Sequence, residues 1–121
     1  MTNDVVEIIG AGSERLGAMR RTLVVVAHPD DVESHCGGTV ARLVDAGCRV
    51  TLLLATSGDK GSADPRADPA EVAARREAEQ RAAAEILGIA EVVFLRWPDG
   101  EVENGTPLRG QLVRQVRLTR P

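Results

Sequence analysis

An imidazole and two carboxylates fall within four residues, His28-Pro29-Asp30-Asp31. Pro29 has no amide hydrogen and fixes its own φ, so the backbone must turn between His28 and Asp30. That turn can bring His28 and Asp31 to one point. A nitrogen and an oxygen donor there suit Zn²⁺, which keeps a water position open where it is catalytic. Asp30 points elsewhere, and a carboxylate beside a metal-bound water can take its proton, which makes Asp30 the general-base candidate. The plainer reading is that His28 and Asp30 cap and close a strand-to-helix turn, since matches this short arise by chance. His35 and Cys36 lie close behind. Together with His28 and Asp31 they would make a closed, four-ligand structural zinc site. Otherwise Cys36 is a small buried hydrophobe.

The elements that must position these groups follow from apolar patterning. Thr22 to Ala27 is β-branched and apolar, which reads as a strand buried on both faces in a parallel sheet. Ligands collect at the carboxyl ends of such strands, which is where His28 and the aspartates fall. Val40, Leu43 and Val44 then recur at helical spacing, from Gly37 to a stop at Gly47. Gly37 and Gly38 would let the first turn approach the strand closely and leave amides facing the site. Glu33 sits just before this helix, where a carboxylate suits the dipole. Arg49 to Thr56 is a second buried strand, and Ser57 to Pro69 a Gly-, Ser-, Asp- and Pro-rich loop over the strand ends. Lys60 in that loop is either a solvated side chain or a partner for an anionic group.

Asp68 or Pro69 begins the longest helix, which runs to about Leu87 and stops at Gly88. Most of its charges read as a wet face, with Glu71 to Arg75 and Glu77 to Arg81 as i,i+4 pairs, and Arg76 reads as surface. Glu91 to Leu95 is a third strand, and Arg96-Trp97-Pro98-Asp99-Gly100 turns out of it at the same edge as His28. Asp99 and Gly100 have the chemistry of an ordinary turn. Trp97 either stacks on a ligand or packs. Leu108, Leu112, Val113 and Val116 mark a third amphipathic helix ending near Arg120. Strands alternating with helices predict an α/β, Rossmann-like three-layer fold with a mainly parallel sheet.

The stretch A-H-P-D-D-V-E-x-x-C-G-G-T resembles the PIG-L/LmbE-like deacetylases, zinc enzymes that remove acetyl groups from N-acetylglucosamine-type amides. Three further family features occur in order. They are a strand ending in T-x-G-x-x-G, here within Val50 to Ser62, an R-x-x-E helix ending in L-G, and a P-D-G turn. The helix feature falls on Arg76, Glu79, Leu87 and Gly88, and the turn on Pro98, Asp99 and Gly100. Ordered matches at compatible spacing are more specific than any one alone. The resemblance, which spans about residues 22 to 121, implies zinc binding by His28 and Asp31 and a general base at Asp30. It also implies contacts from Arg76 and Asp99 to an amino-sugar substrate. In the family the place of His35 is commonly a small residue, so His35 is a departure. The family continues into a fourth strand and a later histidine pair that supplies the third zinc ligand, whereas this sequence holds only His28 and His35. The expectation is therefore the N-terminal half of a longer fold, residues 1 to 21 being a lead-in, with one zinc ion incompletely held and activity doubtful in the chain alone.

Composition narrows the alternatives. A hydrophobic fraction of 43% supplies a core, and with aromatics at 2% that core must be aliphatic. A net charge of -3 gives no electrostatic footprint for nucleic acid or an anionic membrane. Two cysteines, no run of transmembrane length and no basic-then-apolar leader make the cytoplasm the default expectation. A small-molecule amino-sugar conjugate is the expected partner, and self-association is open through an unpaired strand edge. The rival motif is Gly10-Ala11-Gly12 after a short apolar run, the start of a dinucleotide-binding fingerprint with Asp30 as the ribose acid. Arg15 stands where its third glycine belongs, and the connection to the next strand is short for a crossover helix. A non-catalytic metal-binding module on the same fold is the other alternative.

Overall fold

The computed structural model describes residues 17–121. In chain order these form β1 (Arg21–Val26), α1 (Asp31–Asp45), β2 (Arg49–Thr56), α2 (Pro69–Leu87), β3 (Glu91–Trp97) and α3 (Thr106–Thr119). The strands pair in parallel in the order β1-β2-β3. Parallel neighbours need crossover connections, which α1 and α2 supply. Both crossovers step in the same direction across the sheet, so right-handed connections place the two helices on one face, where they touch each other. Helix α3 lies against β1. The α/β architecture with a parallel sheet is as expected, and no helix among the described residues is long and apolar enough to cross a membrane. The Gly10-Ala11-Gly12 stretch falls outside the described residues.

The core is aliphatic and centred on β2. Val50, Leu52 and Leu54 pack with Val32, Val40 and Leu43 of α1, Ala84 of α2, Cys48 and Ile89. Leu53 points to the opposite face and is also fully buried. Strand β1 departs from the expectation of burial on both faces. Val24 and Val26 pack on the core, but Val25, the register partner of Leu53, is 51% exposed. Among the described residues β1 is paired on one side only, with β2.

Two boundaries also differ. Helix α1 starts at Asp31 rather than Gly37, so Glu33 lies in its first turn. The backbone breaks at Cys36 (φ -143°, ψ 17°), and helical geometry resumes at the glycines. They make no close approach to a strand, since a Cβ at Gly38 would meet nothing within 4 Å. Strand β3 runs on to Trp97 through a register irregularity opposite Leu54 and Thr56, where Arg96 takes φ 59°. The extra residue re-aims the chain at the edge of the sheet where His28 lies.

Helix α2 has both expected caps. Asp68 Oδ1 accepts from the Ala70 amide at 3.0 Å, and Gly88 closes the helix at φ 76°. A Cβ at Gly88 would also lie 2.7 Å from Val44 Cγ1 of α1. Gly88→Ala should therefore lower stability by roughly 1–3 kcal/mol from backbone strain, measured by urea unfolding. Adding Val44→Ala should relieve the contact and leave the strain, so the double variant should remain less stable than Val44→Ala alone.

Candidate functional site

Three connections meet at the carboxyl edge of the sheet. The end of β1 is tied to β2 by Thr56, whose amide and Oγ1 both donate to the Ala27 carbonyl at 3.0 and 2.9 Å. His28 follows at once. Its amide donates to Asp31 Oδ2 at 2.9 Å, which folds the carboxylate back over the turn, and its Nδ1 lies 3.6 Å from the same oxygen. Its Nε2 meets Asp99 Oδ1 at 2.9 Å. An ionised carboxylate can only accept, so Nε2 carries a proton, and in the neutral ring the Nδ1 lone pair then lies on the side of Asp31. Asp99 is itself held, its amide donating to Asp59 Oδ1 at 2.9 Å. The expected gathering of His28, Asp31 and Asp99 is thus present, and Asp99 spends one carboxylate oxygen on the imidazole.

An imidazole nitrogen and a carboxylate oxygen side by side are the donor types zinc accepts, and a second nitrogen tied to a carboxylate is a common outer arrangement for a metal-binding histidine. Among the described residues no group of three His, Cys, Asp or Glu side chains is arranged to hold one metal ion, so His28 and Asp31 provide a pair. The four-ligand alternative is not assembled. The exposed His35 donates from Nδ1 to the Asp31 carbonyl at 2.9 Å, and Cys36 packs on the core.

Asp30 occupies the left-handed region, φ 71° and ψ -10°, at the N-cap of α1. Its carboxylate is 76% exposed and lies 3.3 Å from Arg76 Nη2. Arg76 was expected at the surface, yet it is 18% exposed. It donates to the carbonyls of Pro29 at 3.0 Å and Gly58 at 3.1 Å, holding the two chains that leave β1 and β2. Gly58 and Gly61 explain the glycine spacing, because a Cβ at either would collide with this guanidinium. Lys60 is exposed and pairs with Glu101 Oε1 at 3.1 Å.

Most charges of α2 are exposed as expected, and Glu77 is the exception. It still meets Arg81 at 3.2 Å, but it is buried, accepting from Ser57 Oγ at 2.6 Å and from Arg96 Nε and Nη2 at 2.9 and 3.0 Å. The Arg96 hydrogen bonds hold its carboxyl down at about 2, from an ordinary 4.5, against the opposing effect of burial; Ser57 and Arg81 add to the lowering. A cleft of about 490 Å³ opens beside this pair, between Ser57, Asp59, Ala73, Arg96 and Trp97. The Trp97 indole lines it while donating to Gln111 Oε1 of α3 at 2.7 Å. Sequence reasoning missed Glu77, Gln80 and Arg96 as supports of the site. A signal for one of them exists: Val72, Arg76, Gln80 and Ala84 form an i+4 ridge whose apolar ends are buried.

Residues 23–121 match the family model described as PIG-L: GlcNAc-PI de-N-acetylase. The chain belongs to this family. Among PIG-L relatives, the diacetylchitobiose deacetylase of Thermococcus kodakarensis is 34% identical over 109 residues, covering 90% of this chain and 41% of that protein. The 1D-myo-inositol 2-acetamido-2-deoxy-alpha-D-glucopyranoside deacetylase of Kineococcus radiotolerans is 44% identical over 94 residues, 74% of this chain and 26% of that protein. The chain therefore spans less than half the length of these relatives. Among solved structures, N,N'-diacetylchitobiose deacetylase from Pyrococcus horikoshii superposes with a TM-score of 0.82 at 30% identity, over 84% of this chain and 38% of that one. GalB, the 4-carboxy-2-hydroxymuconate hydratase of Pseudomonas putida KT2440, superposes at 0.77 with 28% identity, over 85% and 45%.

The Glu77 pair generates a pH prediction for this PIG-L chain. A carboxyl whose folded pKa is depressed contributes fully above its unfolded value and loses that contribution as pH falls through the folded one. Wild type should therefore lose stability relative to Glu77→Gln between pH 4.5 and about 2. Above that window Glu77→Gln should be the less stable by roughly 1–3 kcal/mol. Thermal melts across the pH range check both signs.

Proposed function

We propose that the chain carries the metal-facing part of a zinc-dependent N-deacetylase for N-acetylglucosamine-type amides. The observation that supports this most is His28 Nδ1 beside Asp31 Oδ2 at 3.6 Å, with His28 Nε2 tied to Asp99. His28 and Asp31 would hold the ion. Zinc there would polarise an acetyl carbonyl and lower the pKa of water. Asp30 accepts the proton of the attacking water, whose oxygen bonds to the acetyl carbon. The carbon–nitrogen bond then breaks, the nitrogen takes up a proton, and acetate and an amine leave. Arg76 and Asp99 face the sugar hydroxyls with the hydrogen-bonding capacity that their internal contacts leave free. Support for the amide substrate comes from the relatives named as deacetylases of diacetylchitobiose and of an acetamido-glucosyl inositol.

The hydratase GalB shares this fold, so architecture alone does not choose between amide hydrolysis and addition of water to a double bond. Acetate release from N,N'-diacetylchitobiose with added zinc separates the two. The proposal expects acetate and free amine in equal amounts, reduced about 10²- to 10⁴-fold in Asp30→Asn. It also expects zinc binding, followed by calorimetry, to be lost in Asp31→Ala and kept in His35→Ala. Loss of binding in His35→Ala, or release unchanged in Asp30→Asn, would overturn these assignments.

A further inference from the structure

Gln80 lies in the middle of α2 and is 2% exposed. A buried primary amide must spend both its ends on partners. Its Oε1 accepts from the Asp30 amide at 2.8 Å, and its Nε2 donates to Glu33 Oε1 at 2.7 Å. Both partners belong to the turn into α1, so one side chain of α2 grips the segment that carries the candidate base. Asp30 is a non-glycine residue at φ 71°, a conformation that costs roughly 1–2 kcal/mol and needs support from its surroundings.

Glu33 accounts for the direction of the grip. Its Oε1 takes the Gln80 amide, while its Oε2 is buried without a partner. A glutamine at that position could present either an acceptor or a donor. A carboxylate can only accept, so it turns the Gln80 nitrogen toward itself and the Gln80 oxygen toward the Asp30 amide. The unpartnered oxygen accompanies that choice, and such a group normally carries a cost of about 1–3 kcal/mol.

We propose that Glu33 and Gln80 form a positioning relay that holds Asp30 in its left-handed conformation and so sets where its carboxylate lies. The relay bears on catalysis only through the reading of Asp30 as the base. Neither residue touches substrate in this account; both act through Asp30.

The test is a polarity swap. In Gln80→Glu two acceptors face each other, the contact opens, and the Asp30 amide loses its partner. In Glu33→Gln/Gln80→Glu the amide introduced at 33 donates to the carboxylate introduced at 80, whose other oxygen again accepts from Asp30. Hydrogen exchange of the Asp30 amide, followed by NMR, should accelerate about 5- to 30-fold in Gln80→Glu and return close to the wild-type rate in the swap. The Leu53 amide, in the centre of the sheet, reports global stability and should not share the difference. An unchanged Asp30 rate in Gln80→Glu, or a swap that exchanges as fast as the single variant, overturns the relay. Should Gln80→Glu fail to fold, the swap alone decides: wild-type protection at Asp30 supports the relay and its loss refutes it. Where wild type releases acetate, kcat should fall in Gln80→Glu with KM unchanged, and recover in the swap. A wild type that neither releases acetate nor binds zinc counts against the deacetylase reading, while the exchange rates still judge the relay.

Discussion

The left-handed turn at Asp30 is the constraint on which the rest of the site depends. It separates the last residue of the β1 exit, His28, from the first residue of α1, Asp31, and lets the Asp31 carboxylate fold back onto the His28 amide. With an ordinary helical or extended residue at that position the two side chains would diverge. Asp30 makes no side-chain cap, but its carbonyl accepts from the Ser34 amide at 3.1 Å and from Ser34 Oγ at 3.0 Å. Helix α2 adds Arg76 at the Pro29 carbonyl and Gln80 at the Asp30 amide.

Helix α2 is therefore more than a crossover connection. Its ridge is apolar at both ends and polar between, and the polar part holds the three strand exits in fixed relation. Arg76 joins the exits of β1 and β2, and Glu77 joins the exits of β2 and β3 through Ser57 and Arg96. A buried charge such as that of Glu77 is costly when unpaired, and here it is met by the more exposed Arg96. The Glu77 pair also fastens Arg96 at its positive φ, three residues before Asp99. Asp99 then closes the circuit onto His28.

Strand and helix positions were legible because buried runs, caps and helix-stop glycines are local signals. β2 and α2 fall where those signals put them. The start of α1 was misread because Gly37 and Gly38 look like an opening, whereas the helix begins at Asp31 and is broken at Cys36. The apolar run of β1 does not report how many strands flank it, and among the described residues only β2 does, which leaves Val25 half-exposed. Among candidate site residues, the proximity of His28 and Asp31 followed from type and spacing, whereas Asp99 was singled out by the family resemblance and lies against His28. Glu77 and Arg96 could not, because their pairing depends on a strand irregularity that no local pattern announces. Arg76 was singled out by the family resemblance alone and Gln80 was visible only as a member of a ridge, since charge or polarity argued for solvent.

Membership of the PIG-L family and the shared fold leave the chemistry to the side chains at this sheet edge. Everything proposed for them turns on His28 offering Nδ1 beside Asp31 while Asp99 holds the proton on Nε2. Long-range ¹H–¹⁵N correlation NMR of the His28 ring reads that directly at a pH where the ring is neutral. A protonated Nε2 and a bare Nδ1 are expected, and Asp99→Asn should weaken that preference. A ring protonated at Nδ1 would overturn the assignment, since the nitrogen beside Asp31 would then be a donor with no lone pair to offer a metal ion.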